Sequence, residues 1–202
     1  MHFEPKWKSL IVQSKDPVFT PEQCQDIINM GRSQKKETAK LINEDGTVNT
    51  DIRISNVSWI PFSKLPPMYE RLKNFIYTVN NNHFGYDGIC LNETAQYTEY
   101  SKGCFYNWHT DSALSGDREP PVRKISMTCL LSHESEFEGG DLQLINEKSN
   151  IKLKQGHAIF FSSFIRHRVT PIEKGNRKSL VVWFGGPSFI NLAVSFSPHR
   201  FM

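Results

Sequence analysis

Three residues in this chain have the types and spacing to grip a metal ion: His109 and Asp111, separated by Thr110, and the distant His167. On a β-strand, residues two apart point to the same face, roughly 6–7 Å from one another. His109 and Asp111 can therefore hold one ion between them. His167, from a separate strand, completes one triangular face of an octahedron. Two imidazoles and one carboxylate with three positions left open form the ligand set of non-haem Fe(II) oxygenases. Because Asp111 fills its position with a carboxylate, there is no room for a halide ligand, and oxygen insertion is favoured over halogenation.

An H-x-D pair alone is a weak signal that arises by chance; its surroundings make it specific. His167 is followed by Val169-Thr170-Pro171, then Gly175, Arg177 and Trp183, and Tyr100 precedes His109. The other histidines (His2, His83, His133, His157 and His199) have no such company and read as ordinary core or surface residues.

Four stretches carry a resemblance to a known family: Y-x-x-G-x-x-Y-x-W-H-x-D (Tyr100 to Asp111), R-K-I-S-M-T-C-L-L-S (Arg123 to Ser132), E-G-G-D-L (Glu138 to Leu142) and H-R-V-T-P-I-x-x-G-x-R (His167 to Arg177). Over about Asp16 to Pro187 the chain resembles the 2-oxoglutarate and Fe(II)-dependent dioxygenases of the prolyl 4-hydroxylase group, in particular the bacterial PKHD-type hydroxylases.

The resemblance implies a set of roles. His109, Asp111 and His167 would bind Fe(II). Arg177 would anchor the distal carboxylate of 2-oxoglutarate, since a planar guanidinium holds a carboxylate through two parallel hydrogen bonds and stays charged when buried. Many prolyl 4-hydroxylases have Lys at that place, so Arg177 departs from them and matches the PKHD branch. Tyr100 would meet the same carboxylate, Tyr106 and Trp183 would line the pocket wall, and Arg123 would hold a peptide substrate. The implied cosubstrates are 2-oxoglutarate and O2, with ascorbate as a further component, and the implied reaction is hydroxylation of a C–H bond, foremost of a prolyl residue in a protein or peptide.

Three other readings stay open. A small-molecule or other side-chain hydroxylase would use the same iron chemistry. A nucleic-acid demethylase of the same superfamily would carry a second Arg where this chain has Trp183. A catalytically silent jelly-roll binding module would not need the intact triad. One departure touches the prolyl assignment: Gly185 stands where the eukaryotic enzymes often place a His.

To position these residues the chain must supply two short strands and a scaffold. Thr20-Pro21-Glu22-Gln23 is a helix start, with Thr as N-cap and Pro at the first position. Helical spacing of Cys24, Ile27, Ile28 and Gly31 carries that helix to about Gln34. A second helix is predicted from Ser63 to about Asn82, with Leu65, Met68, Leu72, Phe75, Ile76 and Val79 on one buried face. Short strands are predicted at Lys8–Gln13 and Ile52–Ile60. From Cys90 on they follow at Leu91–Ser101, Phe105–His109, Lys124–Ser132, Asp141–Ile145, Ile151–Lys154, His157–Phe161, Arg166–Pro171, Lys178–Gly185 and Asn191–Ser197. Turn signals separate them at Glu138-Gly139-Gly140, Gln155-Gly156 and Lys174-Gly175-Asn176, where Lys178 reads as one more member of a charged surface cluster. Many short, evenly spaced strands suggest a sandwich or a jelly roll. The fold expected is mainly β: a double-stranded β-helix core at 86–202, supported by helices within 1–85, in one domain spanning 1–202. The polar stretches Lys35–Thr50 and Ser112–Pro121 read as solvated loops; in the resembled family the region of the first often folds over the substrate, so a lid is the alternative reading.

Composition sets the outer limits. A chain of 202 residues, 38% hydrophobic and 12% aromatic, buries a sizeable core. A net charge of +3 with dispersed basic residues argues against nucleic acid as the main partner. Cys24, Cys90, Cys104 and Cys129 form no C-x-x-C and read as reduced thiols. No apolar run has the length of a signal peptide or of a membrane span, so the expected location is cytoplasmic.

Overall fold

Alternating side-chain types over short runs, punctuated by glycine turns, give a chain built from antiparallel strands. In the computed structural model residues 9–39, 41–42, 48–49, 53–112 and 120–188 are described. The strands are β1 (Ile11–Gln13), β2 (Glu37–Ala39), β3 (Leu41–Ile42), β4 (Val48–Asn49), β5 (Arg53–Ile60), β6 (Ala95–Ser101) and β7 (Phe105–His109) in the first part of the chain. They continue with β8 (Val122–Leu130), β9 (Phe137–Gly139), β10 (Leu142–Leu144), β11 (Asn150–Ile151), β12 (Ala158–Ser162), β13 (His167–Val169) and β14 (Ile172–Gly186). Two α-helices, α1 (Pro21–Ser33) and α2 (Pro66–Val79), precede β6.

The strands pair in the order β1-β12-β8-β14-β6-β5-β7-β13-β10-β11, with β2 on β5 and β9 on β14. Every pairing between them is antiparallel. Strand β5 belongs to two layers: Asn56–Ile60 pair with β6, whereas Arg53 and Ile54 pair with β7. It folds the sheet over, so that β7, β13, β10 and β11 face the main layer across an interior. This is a jelly-roll fold.

Period-two alternation divides the main layer into two faces. Ala95 and Tyr97 of β6, Ile125, Met127 and Cys129 of β8, Ala158 and Phe160 of β12, and Leu180, Val182 and Phe184 of β14 join one core with Cys24, Ile27 and Ile28 of α1 and with Met68, Leu72 and Ile76 of α2. The residues between them point into the jelly roll. Part of that interior is a second apolar cluster, including Tyr100, Leu142, Leu144, Ile159, Phe161 and Val169. The rest is polar, and it is the site described below. The helices thus brace the outer face of the sheet whose inner face lines the polar interior.

Helix α1 starts as its sequence predicts. The Gln23 N–H donates to Thr20 Oγ1 at 3.3 Å and the Thr20 N–H donates to Gln23 Oε1 at 3.0 Å, a reciprocal cap. Helix α2 begins at Pro66 instead of Ser63, because adjacent prolines suit the first helical turn. It gives way after Val79 to a π-helical turn, Asn80–Phe84, closed by Gly85 at φ 71°. Strand β6 begins at Ala95, later than Leu91, and Cys90 keeps an isolated bridge to Gly185.

The largest departure is β14. The predicted turn at Lys174-Gly175-Asn176 does not interrupt the chain; one strand runs from Ile172 through Gly186. Its first part pairs with β9 and its remainder with β6 and β8, with a register shift between Ile172 and Lys174. Gly175, at φ 73°, bends the strand while passing so close to the Glu136 carbonyl oxygen that a Cβ would lie 1.9 Å from it. Correspondingly, Lys178 is not a surface charge: it is buried, and its ammonium pairs with Glu136 at 2.5 Å.

Within Lys35–Thr50, the described residues of which were expected to be loop, β2 pairs with β5 and β3 with β4. The turn at Asn43–Gly46, residues 113–119 of the second polar stretch, and the strand expected at Asn191–Ser197 lie outside the described residues. The four cysteines are free thiols. Among the described residues no helix is long and apolar enough to cross a membrane.

Candidate active site

Strands β7 and β13 pair so that His167 stands directly opposite His109. Their imidazole centroids are 4.1 Å apart at 52°. The register slips between His167 and Val169, an irregularity of the kind that re-aims a side chain beside a site. Asp111 sits just past the end of β7, where its N–H and that of Ser112 both donate to the Ser163 carbonyl at 2.9 and 3.0 Å. That anchor turns the carboxylate back under the imidazoles. Asp111 Oδ1 lies 3.6 Å from His109 Nε2, and Oδ2 lies 3.5 Å from His167 Nε2. One ligand atom from each of the three residues falls within 4.8 Å of the others.

Both imidazoles are oriented from behind. His109 Nδ1 lies 2.8 Å from the Asn107 carbonyl oxygen and His167 Nδ1 lies 3.0 Å from that of Ile165. A carbonyl only accepts, so each Nδ1 carries the proton, and each Nε2 presents a lone pair to the space between the three side chains. On the outer face of the same strand pair, the guanidinium carbons of Arg166 and Arg168 each lie 4.8 Å from the Trp108 ring centroid. These cation–π contacts tie β7 to β13 behind the histidines.

Burial alone would push the Asp111 carboxyl up. The neighbouring His167 and His109 and the Ser126 hydroxyl outweigh burial and hold its pKa below the ordinary carboxylate value. The Trp183 indole lies close enough to add to that lowering, yet its buried Nε1–H has no partner at hydrogen-bond geometry. In their neutral forms the two imidazoles would offer Nε2 lone pairs beside an ionised carboxylate oxygen in a buried pocket, a set that suits a divalent transition metal such as Fe(II).

Arg177 lies on β14 opposite Tyr100 of β6, its guanidinium carbon 5.8 Å from that ring centroid. It is 3% exposed. Its hydrogen bond goes to Ser179 Oγ at 3.2 Å, and among the described residues no carboxylate pairs with it. Burial draws its pKa down, while Tyr100 and Asp141 oppose that shift. A buried guanidinium without a counter-ion is costly unless an anion arrives. It opens onto a cavity of about 180 Å³ that the three candidate ligands also line, together with Tyr100, Tyr106 and Trp183. The cavity therefore sets three side chains that could hold a metal ion beside a buried guanidinium without a carboxylate partner among the described residues.

The structure brings all eight sequence-selected residues to this one cavity. Tyr106 stacks on His109, ring centroids 3.5 Å apart. Arg123 is held more firmly than a free substrate-binding Arg would be: its Nε donates to Glu93 Oε1 at 2.7 Å, and its guanidinium carbon lies 3.8 Å from the Trp183 ring centroid. Trp59 packs on the same indole, centroids 5.9 Å apart.

Sequence reasoning passed over Trp59, Gln96, Ser126, Thr128 and Ser163. A signal for several of them existed. Gln96 and Thr98, Ser126 and Thr128, and Arg177 and Ser179 alternate with core residues on three adjacent, fully covered strands. A strand buried on both faces that keeps one polar row is lining a polar cavity. For Ser163 and Glu93, both in connecting segments, the sequence holds no such signal.

Comparison with known proteins agrees with this geometry. Residues 95–185, from the start of β6 nearly to the end of β14, match the model of the 2OG-Fe(II) oxygenase superfamily. A PKHD-type hydroxylase of Psychrobacter sp. (strain PRwf-1) is 28% identical over 129 residues, which cover 60% of this chain and 50% of that protein. The match thus spans half the length of that relative. Among solved structures, a Pseudomonas putida prolyl-4-hydroxylase superposes with a TM-score of 0.66 at 17% identity, over 88% of this chain and 92% of that one. The viral collagen prolyl hydroxylase of Paramecium Bursaria Chlorella virus-1, in its 2OG complex, gives 0.67 at 19% identity, over 88% and 96%. These likenesses are of fold. Taken together, the chain is similar in sequence to the 2OG-Fe(II) oxygenase superfamily over residues 95–185 and to PKHD-type hydroxylases over part of their length, and its jelly roll and His-Asp-His cluster agree with that likeness.

Proposed function

We propose that this protein is a 2-oxoglutarate- and Fe(II)-dependent dioxygenase that hydroxylates a C–H bond, foremost that of a prolyl residue in a protein or peptide. The observation that carries the reading is the pairing, in one cavity, of the His109–Asp111–His167 triangle with a buried Arg177 that has no carboxylate partner among the described residues. His109, Asp111 and His167 would hold the iron through Nε2, a carboxylate oxygen and Nε2. When bound, the iron and its cosubstrate supply the oxidising chemistry: 2-oxoglutarate and O2 become succinate and CO2 as one oxygen atom enters the C–H bond.

The remaining work falls to the chain. Arg177 receives the distal carboxylate, with Tyr100 beside it, and fixes the direction in which the dicarboxylate lies. The Asn107 and Ile165 carbonyls keep both imidazoles in the tautomer that ligates. Trp183, Tyr106 and Trp59 wall the cavity with aromatic surface, which keeps water from the reacting carbon and offers faces to a flat, apolar pyrrolidine ring. Arg123, stacked on Trp183 at the cavity wall and engaged by Glu93, would use a remaining N–H to meet a backbone carbonyl of an extended peptide. A polyproline-type segment is already extended and loses little entropy on docking.

A prolyl target is supported by the fold shared with the Pseudomonas putida prolyl-4-hydroxylase and the viral collagen prolyl hydroxylase. The test is to incubate the protein with Fe(II), 2-oxoglutarate, ascorbate as a reductant, and a panel of proline-containing peptides, and to locate any added oxygen by fragment mass spectrometry. Oxygen on proline supports the assignment. Oxygen on Lys, Asn or a free metabolite would sink it and leave the iron chemistry intact.

A further inference from the structure

Asp111 has two carboxylate oxygens, and their surroundings differ. Oδ2 accepts a hydrogen bond from the Ser126 hydroxyl at 2.6 Å. Oδ1 has no donor at hydrogen-bond geometry among the described residues and lies 3.6 Å from His109 Nε2. Ser126 is itself directed. Its oxygen lies 3.0 Å from Ser163 Oγ, and both serines are fully buried. An ionised carboxylate only accepts, so the Ser126 proton goes to Asp111, and the Ser163 hydroxyl must donate to Ser126. The hydroxyl chain therefore runs one way, from Ser163 through Ser126 to Oδ2. The Ser163 carbonyl meanwhile holds the Asp111 and Ser112 N–H groups. One serine fixes the backbone of the ligand, and the other fixes its carboxylate.

We infer that Ser126 is a positioning residue for metal binding: it occupies Oδ2, sets the rotation of the Asp111 carboxylate, and reserves Oδ1 for the metal. This rests on the metal-binding reading given above. Residues that orient a metal ligand from behind contribute about 10- to 100-fold to metal affinity, which is the size of effect expected here. A serine that merely filled space on β8 would give no such effect.

The experiment is a titration of the metal-free protein with Mn(II), a carboxylate- and imidazole-compatible ion, following free Mn(II) by its paramagnetic resonance. Ser126→Ala should weaken the dissociation constant about 10- to 100-fold while the thermal unfolding midpoint of the metal-free protein stays close to that of the wild type. Ser126→Thr, which keeps the hydroxyl, should recover most of the affinity. Ser163→Ala leaves Ser126 its own donor proton and should cost only a few-fold, a second handle should Ser126→Ala fold poorly. A Ser126→Ala protein that binds Mn(II) within twofold of wild type overturns the inference alone. A wild-type protein that takes up no Mn(II) overturns the metal reading and this inference with it.

Discussion

Arg177 is the residue whose environment is hardest to explain without a ligand. It is buried and charged, and its hydrogen bond goes to one serine hydroxyl at 3.2 Å. If it anchors the distal carboxylate of 2-oxoglutarate, Arg177→Met removes one partner of a buried charged pair, a loss of about 2–5 kcal/mol. The KM for 2-oxoglutarate should then rise about 30-fold or more, while Mn(II) or Fe(II) binding survives. An unchanged KM puts the anchor elsewhere. At this scale the sequence was highly legible, because ligand chemistry fixes residue type. His109, Asp111, His167 and Arg177 were singled out by their types together with the family resemblance of the segments around them, and the structure gathers them in one cavity. Ser126 and Glu93 were not, because a hydroxyl or carboxylate that serves a neighbour is indistinguishable in sequence from one that serves water.

Strand β14 does most to assemble the site. It carries Arg177, Ser179, Val181 and Trp183 along one inner face, and it is bent at Gly175. An alanine there must adopt φ 73° and clear a backbone oxygen 1.9 Å from its Cβ. Strain at such a position costs on the order of 1–3 kcal/mol before the clash is counted. Gly175→Ala should therefore lower the thermal unfolding midpoint by several degrees and, by shifting the strand, raise the KM for 2-oxoglutarate. A midpoint within a degree of wild type would show that the bend is unconstrained. Next along the strand, Lys178 pairs with Glu136. Burial raises the Glu136 pKa, but the Lys178 ammonium outweighs it and holds the carboxyl below its usual range. A depressed carboxyl stabilises the fold above its unfolded-state value and loses that contribution as pH falls through the folded-state value. The stability difference between wild type and Glu136→Gln should thus be present at neutral pH and vanish in acid, which unfolding midpoints measured across pH will check. Here sequence reading was partial. Alternation and turn residues located most strands, yet glycine within a charged cluster looked like a turn when it is a bend inside a continuous strand. The pairing partner, β9, that keeps the strand going lies far away in sequence.

At the scale of the whole molecule, a helix-braced sheet folds over through β5 and encloses a polar interior lined by His109, Asp111 and His167. The order of short strands and two helices was enough to expect a sandwich or a jelly roll, and the family resemblance narrowed that to the jelly roll that the structure has. What no local pattern conveyed was which face of each strand would meet the helices and which the cavity; that follows from the closure of the sheet. The same closure brings His109, Asp111, His167 and Arg177 to one cavity, so iron- and 2-oxoglutarate-dependent oxidation is the central claim. It is tested most directly by measuring succinate formed by the purified protein with and without Fe(II) and 2-oxoglutarate, beside His109→Ala, Asp111→Ala and His167→Ala. The account predicts succinate from the wild type when both are supplied and none above background from any of the three variants. Succinate made without iron, or undiminished turnover in a variant folded like the wild type, would contradict it.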